Sequence, residues 1–156
     1  MTTTVHDVAA YILEQRGPLS AFKLQKLCYY AQAWHLAFYD RPLYMERIEA
    51  WANGPVSPDL YRQHRAKFTV SPRDLRCGDT THIPADAKTH IEQVLKAYGD
   101  WAPHRLVELT HHEAPWRDAR GNLPPLARSD ARISHEAMTT FYRALSEDPD
   151  AELLAD

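Results

Sequence analysis

The chain has 156 residues, of which 44% are apolar and 25% charged, and a formal net charge of -3. That size and balance describe one ordinary folded domain that buries its core without a disulfide or a metal. They favour neither a polyanion nor an anionic membrane as a partner. The five glycines, Gly17, Gly54, Gly78, Gly99 and Gly121, are widely spaced, so they build no glycine-rich phosphate loop. Cys28 and Cys77 make no CxxC pair and no zinc quartet. No apolar run reaches the roughly 20 residues of a membrane span. The first seven residues do not read as a signal peptide, so the expected compartment is the cytoplasm.

Thr4 and Asp7 form a capping-box pattern, which predicts a first helix from about Val5 to Glu14, ended by Gly17-Pro18. Ser20 caps a second helix that runs to about Tyr39. Leu24, Leu27, Cys28, Ala31, Trp34, His35 and Phe38 fall on one broad stripe, and Tyr29 and Leu36 lie on the opposite side. A helix apolar most of the way round belongs at the centre of a fold. Residues 46 to 51 alternate charge and bulk and predict a short strand, stopped by Asn53-Gly54-Pro55. Ser57-Pro58 opens a short helix from Leu60 to about Lys67. Residues 68 to 84 read as irregular, with a second short strand placed near Thr81 to Ile83.

A helix after Pro84 carries Ala87, Ile91, Val94, Leu95 and Tyr98, with Gly99 where a C-terminal glycine belongs. Pro103 opens a short helix through Leu106, Val107 and Thr110. Residues 113 to 132 hold three prolines and few large apolar residues, which predicts a long loop, ordered or flexible. The last helix starts at Ser134 and carries Met138, Phe141, Tyr142 and Leu145 on one face, with Ile133 stapled to Met138. The fold class is therefore mainly α: a single compact helical domain of five to six helices with a small β-hairpin. It is expected to span residues 1–145, followed by an acidic, frayed tail over 146–156.

The chemistry-bearing residues compose no catalytic centre. His111, His112 and Glu113 are the densest metal-like group, but adjacent histidines point about 100° apart on a helix, and no second histidine follows at helical spacing. Cys28 and His35 lie two turns apart, about 10 Å, too far for a thiolate–imidazole pair. Both suit a core, with His35 hydrogen-bonded to a neighbour. No enzyme, metal or cofactor is expected.

The first two helices superficially resemble a helix-turn-helix, with Lys23 and Lys26 near the start of the second. That helix then becomes too apolar to lie in a groove of DNA. Residues 60–76 carry Arg62, Arg65, Lys67, Arg73 and Arg76 against Asp74, a basic stretch that suits a solvated face balanced by the acidic tail better than DNA binding.

The ordered set Leu24-Gln25-Lys26-Leu27-Cys28-Tyr29-Tyr30-Ala31-Gln32-Ala33-Trp34-His35, Ile48 to Val56, Tyr61, Leu109-Thr110-His111 and Pro115-Trp116 resembles the Panacea domain. This is the SocA-like antitoxin domain, also found in phage-associated proteins of the GepA type. The resemblance runs from about Val8 to Leu145. Cys28 departs from it where Leu is expected, as does Asn53 where a bulkier residue is common.

The resemblance implies an antitoxin that neutralises a protein toxin, encoded by a neighbouring gene, through direct binding. One alternative it implies is an adaptor that delivers the toxin to a cytoplasmic protease, with 151–156 as the tether. The other reading is a DNA-binding regulator that uses 60–76. Members often carry an additional N-terminal region, for which residues before the first helix leave no room. Binding energy concentrates in a few Trp, Tyr and Arg side chains. The candidate partner-binding residues are therefore Trp51, Tyr61, Arg62, Arg65, Trp116 and Arg117, with core packing the competing role for the two tryptophans.

Overall fold

Every residue from Leu24 to Ala37 of helix α2 (Ala21–Tyr39) is buried. The computed structural model describes residues 2–148. Around α2 pack α1 (Val5–Arg16), α4 (Ala85–Tyr98), α5 (Pro103–His112) and α7 (His135–Glu147). Two shorter helices, α3 (Pro58–His64) and α6 (Ala114–Arg120), complete seven among the described residues. Trp34, Tyr29, Tyr30 and Leu27 of α2 and Ile12 and Ile91 of its neighbours are wholly or almost wholly enclosed. Phe38 ends the predicted stripe but is half exposed, stacked on Trp34 at 5.2 Å between centroids.

The helix starts follow their caps. Thr4 accepts from the Asp7 amide and Asp7 accepts from the Thr4 amide, which closes the predicted capping box. Asp7 also accepts from the Asp79 amide at 2.8 Å and so fastens a distant loop to α1. Ser20, Ser57 and Ser134 cap α2, α3 and α7. At the far end of α1, Arg16 donates to the Leu95 carbonyl at 2.9 Å and caps α4 from outside. Gly99 there has φ -61, an ordinary helical value. It is not the left-handed terminator the sequence suggests. A Cβ at this position would collide with the Arg16 guanidinium.

Small strands decorate the helices. β2 (Ile48–Trp51) is the centre of a three-stranded antiparallel sheet ordered β3-β2-β5, with β3 (Gly54–Val56) on one side and β5 (Arg132–Ile133) on the other. Glu49 faces Val56 and Ile48 faces Ile133. Gly54-Pro55, predicted to stop the strand, instead forms the return arm of the hairpin. A separate pair joins β1 (Leu19–Ser20) to β4 (Thr69–Val70). Thr80–His82 is a single 3-10 turn with Asp79 as its cap, not the strand expected at Thr81 to Ile83. Two-residue strands carry no periodicity, so sequence cannot locate them.

The segment 113–132, expected to be a loop, instead opens with helix α6, which takes the count to seven against the five to six expected. Its first proline lies in the opening turn of α6, where a missing amide costs nothing. The loop after α6 is held by Arg120, 5% exposed, which donates to the carbonyls of Ala50, Pro124, Pro125 and Ala127 at 2.7 to 3.2 Å. At the chain end, helix α7 continues through Ser146 and Glu147, two residues the sequence reading placed in the tail. Residues 149–156 lie outside the described residues.

Two glutamines fix the loops that leave α2. Gln32 donates to the Tyr44 carbonyl at 2.6 Å and accepts from the Leu43 amide at 2.7 Å. Gln25 accepts from the Ser57 amide at 2.9 Å and donates to its carbonyl at 3.3 Å. Removing Gln32 strands both a buried amide and a buried carbonyl. Gln32→Ala is expected to lower stability by about 2 to 4 kcal/mol in urea unfolding, because each orphaned buried group costs roughly 1–3 kcal/mol.

Candidate functional site

A half-open groove of about 1070 Å³ lies between the start of α2, the β2–β3 hairpin and α3. Residues 66–68 and 128–130 form its rim. The hairpin places Trp51 on one wall and α3 places Tyr61 beside it, edge-on at 5.1 Å between centroids. Tyr61 in turn meets His64 edge-on at 5.5 Å. Phe22 of α2 and Phe68 of the rim add two more aromatic rings, 41% and 75% exposed.

Three polar groups of the walls, Glu49, Gln25 and His64, are engaged within the protein. Glu49, 8% exposed, accepts from Trp51 Nε1 at 2.9 Å and from Arg47 Nε at 2.7 Å, so one carboxylate sets both side chains. Gln25 donates to His64 Nε2 at 3.0 Å. That bond requires a neutral imidazole, and burial lowers the His64 pKa accordingly.

Lys26 lies beneath the groove with no exposed surface. Its amine donates to the Pro55 carbonyl at 3.1 Å. Gly54 passes directly over the Lys26 stem with φ +114, so both the backbone angle and the close approach require glycine. No carboxylate among the described residues pairs with the amine, and burial pushes its pKa down to about 7.

The six residues singled out in the sequence divide. Trp51 and Tyr61 line the groove. Arg62 is exposed on α3 and pairs with Asp59. Arg65 is exposed where α3 ends. Arg117 is exposed on α6, beside Asp118 at 3.6 Å. Trp116 is 5% exposed and belongs behind the hairpin: it donates to the Trp51 carbonyl at 2.8 Å and stacks on His111 at 3.9 Å, with the Arg120 guanidinium 4.9 Å from its ring. It supports the groove wall and offers no surface.

Phe22, Phe68 and Lys26 also line the groove but were not among the candidates read from the sequence. Phe22 left a signal, as an aromatic off the apolar stripe of α2. Phe68 left another, as an aromatic inside a basic, irregular stretch.

The other candidate chemistry is structural. Glu113, 7% exposed, accepts from the hydroxyls of Tyr30 and Tyr142, each at 2.7 Å. Burial pushes its pKa up to about 7 against the pull of those two bonds. Among the described residues no three His, Cys, Asp or Glu gather as a metal-ligand group. Burial also raises the Cys28 pKa, and His35 donates to the Arg41 carbonyl at 2.7 Å. Burial of Lys26 withdraws it from any helix-turn-helix contact with DNA. In the basic stretch, Arg62 is paired with Asp59, and Lys67 lies 3.8 Å from Asp74.

The chain belongs to the family described as Antitoxin SocA-like, Panacea domain, which matches residues 24–117. It is similar to Antitoxin SocA of Caulobacter vibrioides (strain NA1000 / CB15N), 36% identical over 112 residues. That match covers 64% of this chain and 58% of the relative, so the chain spans little more than half the relative's length. No solved structure matches. No helix among the described residues is long and apolar enough to cross a membrane.

The two shifted groups give opposite pH slopes. The folded chain gives up the Lys26 proton near 7 and the unfolded chain near 10.5, so stability rises with pH across that window. The folded chain takes up a proton at Glu113 near 7 and the unfolded chain near 4.5, so that contribution is full below 4.5 and lost as pH rises through 7. Urea unfolding across pH should show Lys26→Met losing the rise above neutrality and Glu113→Gln losing the fall below it. Each slope amounts to about 3 to 5 kcal/mol across its window at most.

Proposed function

We propose that this chain is an antitoxin that neutralises a protein toxin through stoichiometric contact at the aromatic groove. The observation that carries this reading is the convergence of Phe22, Trp51, Tyr61 and Phe68 on one concave surface. Exposed aromatic rings in a recess are the anchors that dominate protein interfaces. Most of the groove lining, with Trp51, Tyr61 and Phe68, lies within the stretch that the antitoxin family matches, while Phe22 and Arg128 lie outside it. The similar Caulobacter protein carries the name antitoxin. The toxin is expected from a gene beside this one, and the encounter is expected in the cytoplasm.

The test is to express the adjacent reading frame alone and together with this chain. Toxicity alone, with rescue and co-purification in the pair, is the expected outcome. A harmless neighbour, or toxicity without rescue, ends this reading. Tyr61→Ala should weaken the complex about tenfold or more, the usual cost of losing an aromatic anchor. The tether expected for a protease adaptor, 151–156, lies outside the described residues.

A further inference from the structure

The groove has a charge pattern of its own in a chain whose net charge is -3. Lys26 lies under it, and Arg47, Lys67 and Arg128 stand around it. Glu49 and Asp130 are its only acidic lining residues among the described ones. Glu49 is paired with Arg47 and accepts from Trp51, so it and Arg47 neutralise each other. Lys67 is 58% exposed with its carboxylate partner at 3.8 Å, and Arg128 has no carboxylate partner among the described residues. The lining holds four basic side chains against two carboxylates. With Lys26 buried and Arg47 paired to Glu49, Arg128 and Lys67 are the cations it presents, and they suit an oppositely charged group on a partner.

The apolar lining sets the second requirement. Tyr61, Phe22 and Phe68 expose 37%, 41% and 75% of their surface beside Trp51. A volume of about 1070 Å³ exceeds what one side chain fills. Small-molecule sites orient their ligand with convergent unengaged polar groups. Here Gln25, His64 and Glu49, the polar groups deepest in the walls, are already bonded within the protein, which leaves the rings, the peripheral cations and the exposed Asn53 and Asp130. Rings and cations also suit a single nucleic-acid strand. A phosphate backbone carries a charge at every nucleotide and needs a track of cations, whereas the recess presents two, Lys67 and Arg128, which is enough for one or two carboxylates.

We infer that the groove receives an acidic segment of a partner protein, anchored by a large apolar side chain among Phe22, Trp51, Tyr61 and Phe68. Its carboxylates face Arg128 and Lys67. This rests on the proposed antitoxin reading for the identity of the partner, but its chemistry can be tested without a toxin.

A displayed library of random peptides is selected on the full chain. It is counter-selected on Phe68→Ala/Arg128→Glu, which changes only exposed side chains. Matching urea unfolding curves confirm that this variant folds, and Tyr61→Ser serves as a second variant. Enriched peptides are expected to be net acidic with at least one large apolar residue. They should bind at least tenfold more weakly to the variant, and more weakly at high salt. No enrichment over the variant, or enrichment of basic or purely polar peptides, overturns the inference. So does a labelled oligothymidine that binds the groove more tightly than the best peptide. Toxin rescue that survives Phe68→Ala/Arg128→Glu sinks the groove chemistry and spares the antitoxin reading. Acidic peptides that bind without any toxin rescue do the reverse.

Discussion

A helix enclosed on every side must find partners for all its polar side chains, because an orphaned polar group in a core costs as much as several good contacts provide. Helix α2 meets this constraint by turning its polar residues into clamps on other segments. Gln32 holds the backbone at 43–44, Gln25 holds Ser57, Lys26 holds Pro55 and His35 holds Arg41. Each clamp fixes a chain segment that has little regular structure of its own. The shape of the surface therefore descends from the interior of one helix.

The groove follows from this arrangement. Lys26 supports the hairpin from beneath, and Gly54 is the residue that allows so close an approach. Trp116 and Arg120 brace the hairpin from behind through the carbonyls of Trp51 and Ala50. Trp51 and Tyr61 are thus presented by backbone held on two sides. Side chains held this way lose little further freedom on meeting a partner, which favours affinity.

The family-matched stretch, 24–117, is not a complete core. Tyr142 of α7 lies wholly inside and closes the network of Tyr29, Tyr30 and Glu113, while α1 covers another flank of α2. The carboxylate of Glu113 is enclosed without a cation among its hydrogen-bond partners, held by two hydroxyl groups. Such a network, fully satisfied, fixes one arrangement of the aromatic rings around it.

The amino-acid sequence by itself determined the longer helices and their capped starts, but not α6, which it read as loop. Caps at Thr4, Ser20, Ser57 and Ser134 are local chemistry, and the apolar girth of residues 24–37 announces a central helix without reference to any neighbour. Trp51 and Tyr61, which line the groove, were legible as candidates because interface energy concentrates in large aromatics. Tertiary structure alone decided the rest. Whether Trp116 faces solvent or core depends on a hairpin sixty residues away, and Arg120 orders a proline-rich loop through carbonyls that no side-chain pattern encodes. The same holds for Lys26, which reads as a surface cation in its helix but lies beneath a groove, since charge at one position says nothing of which backbone will be packed over it.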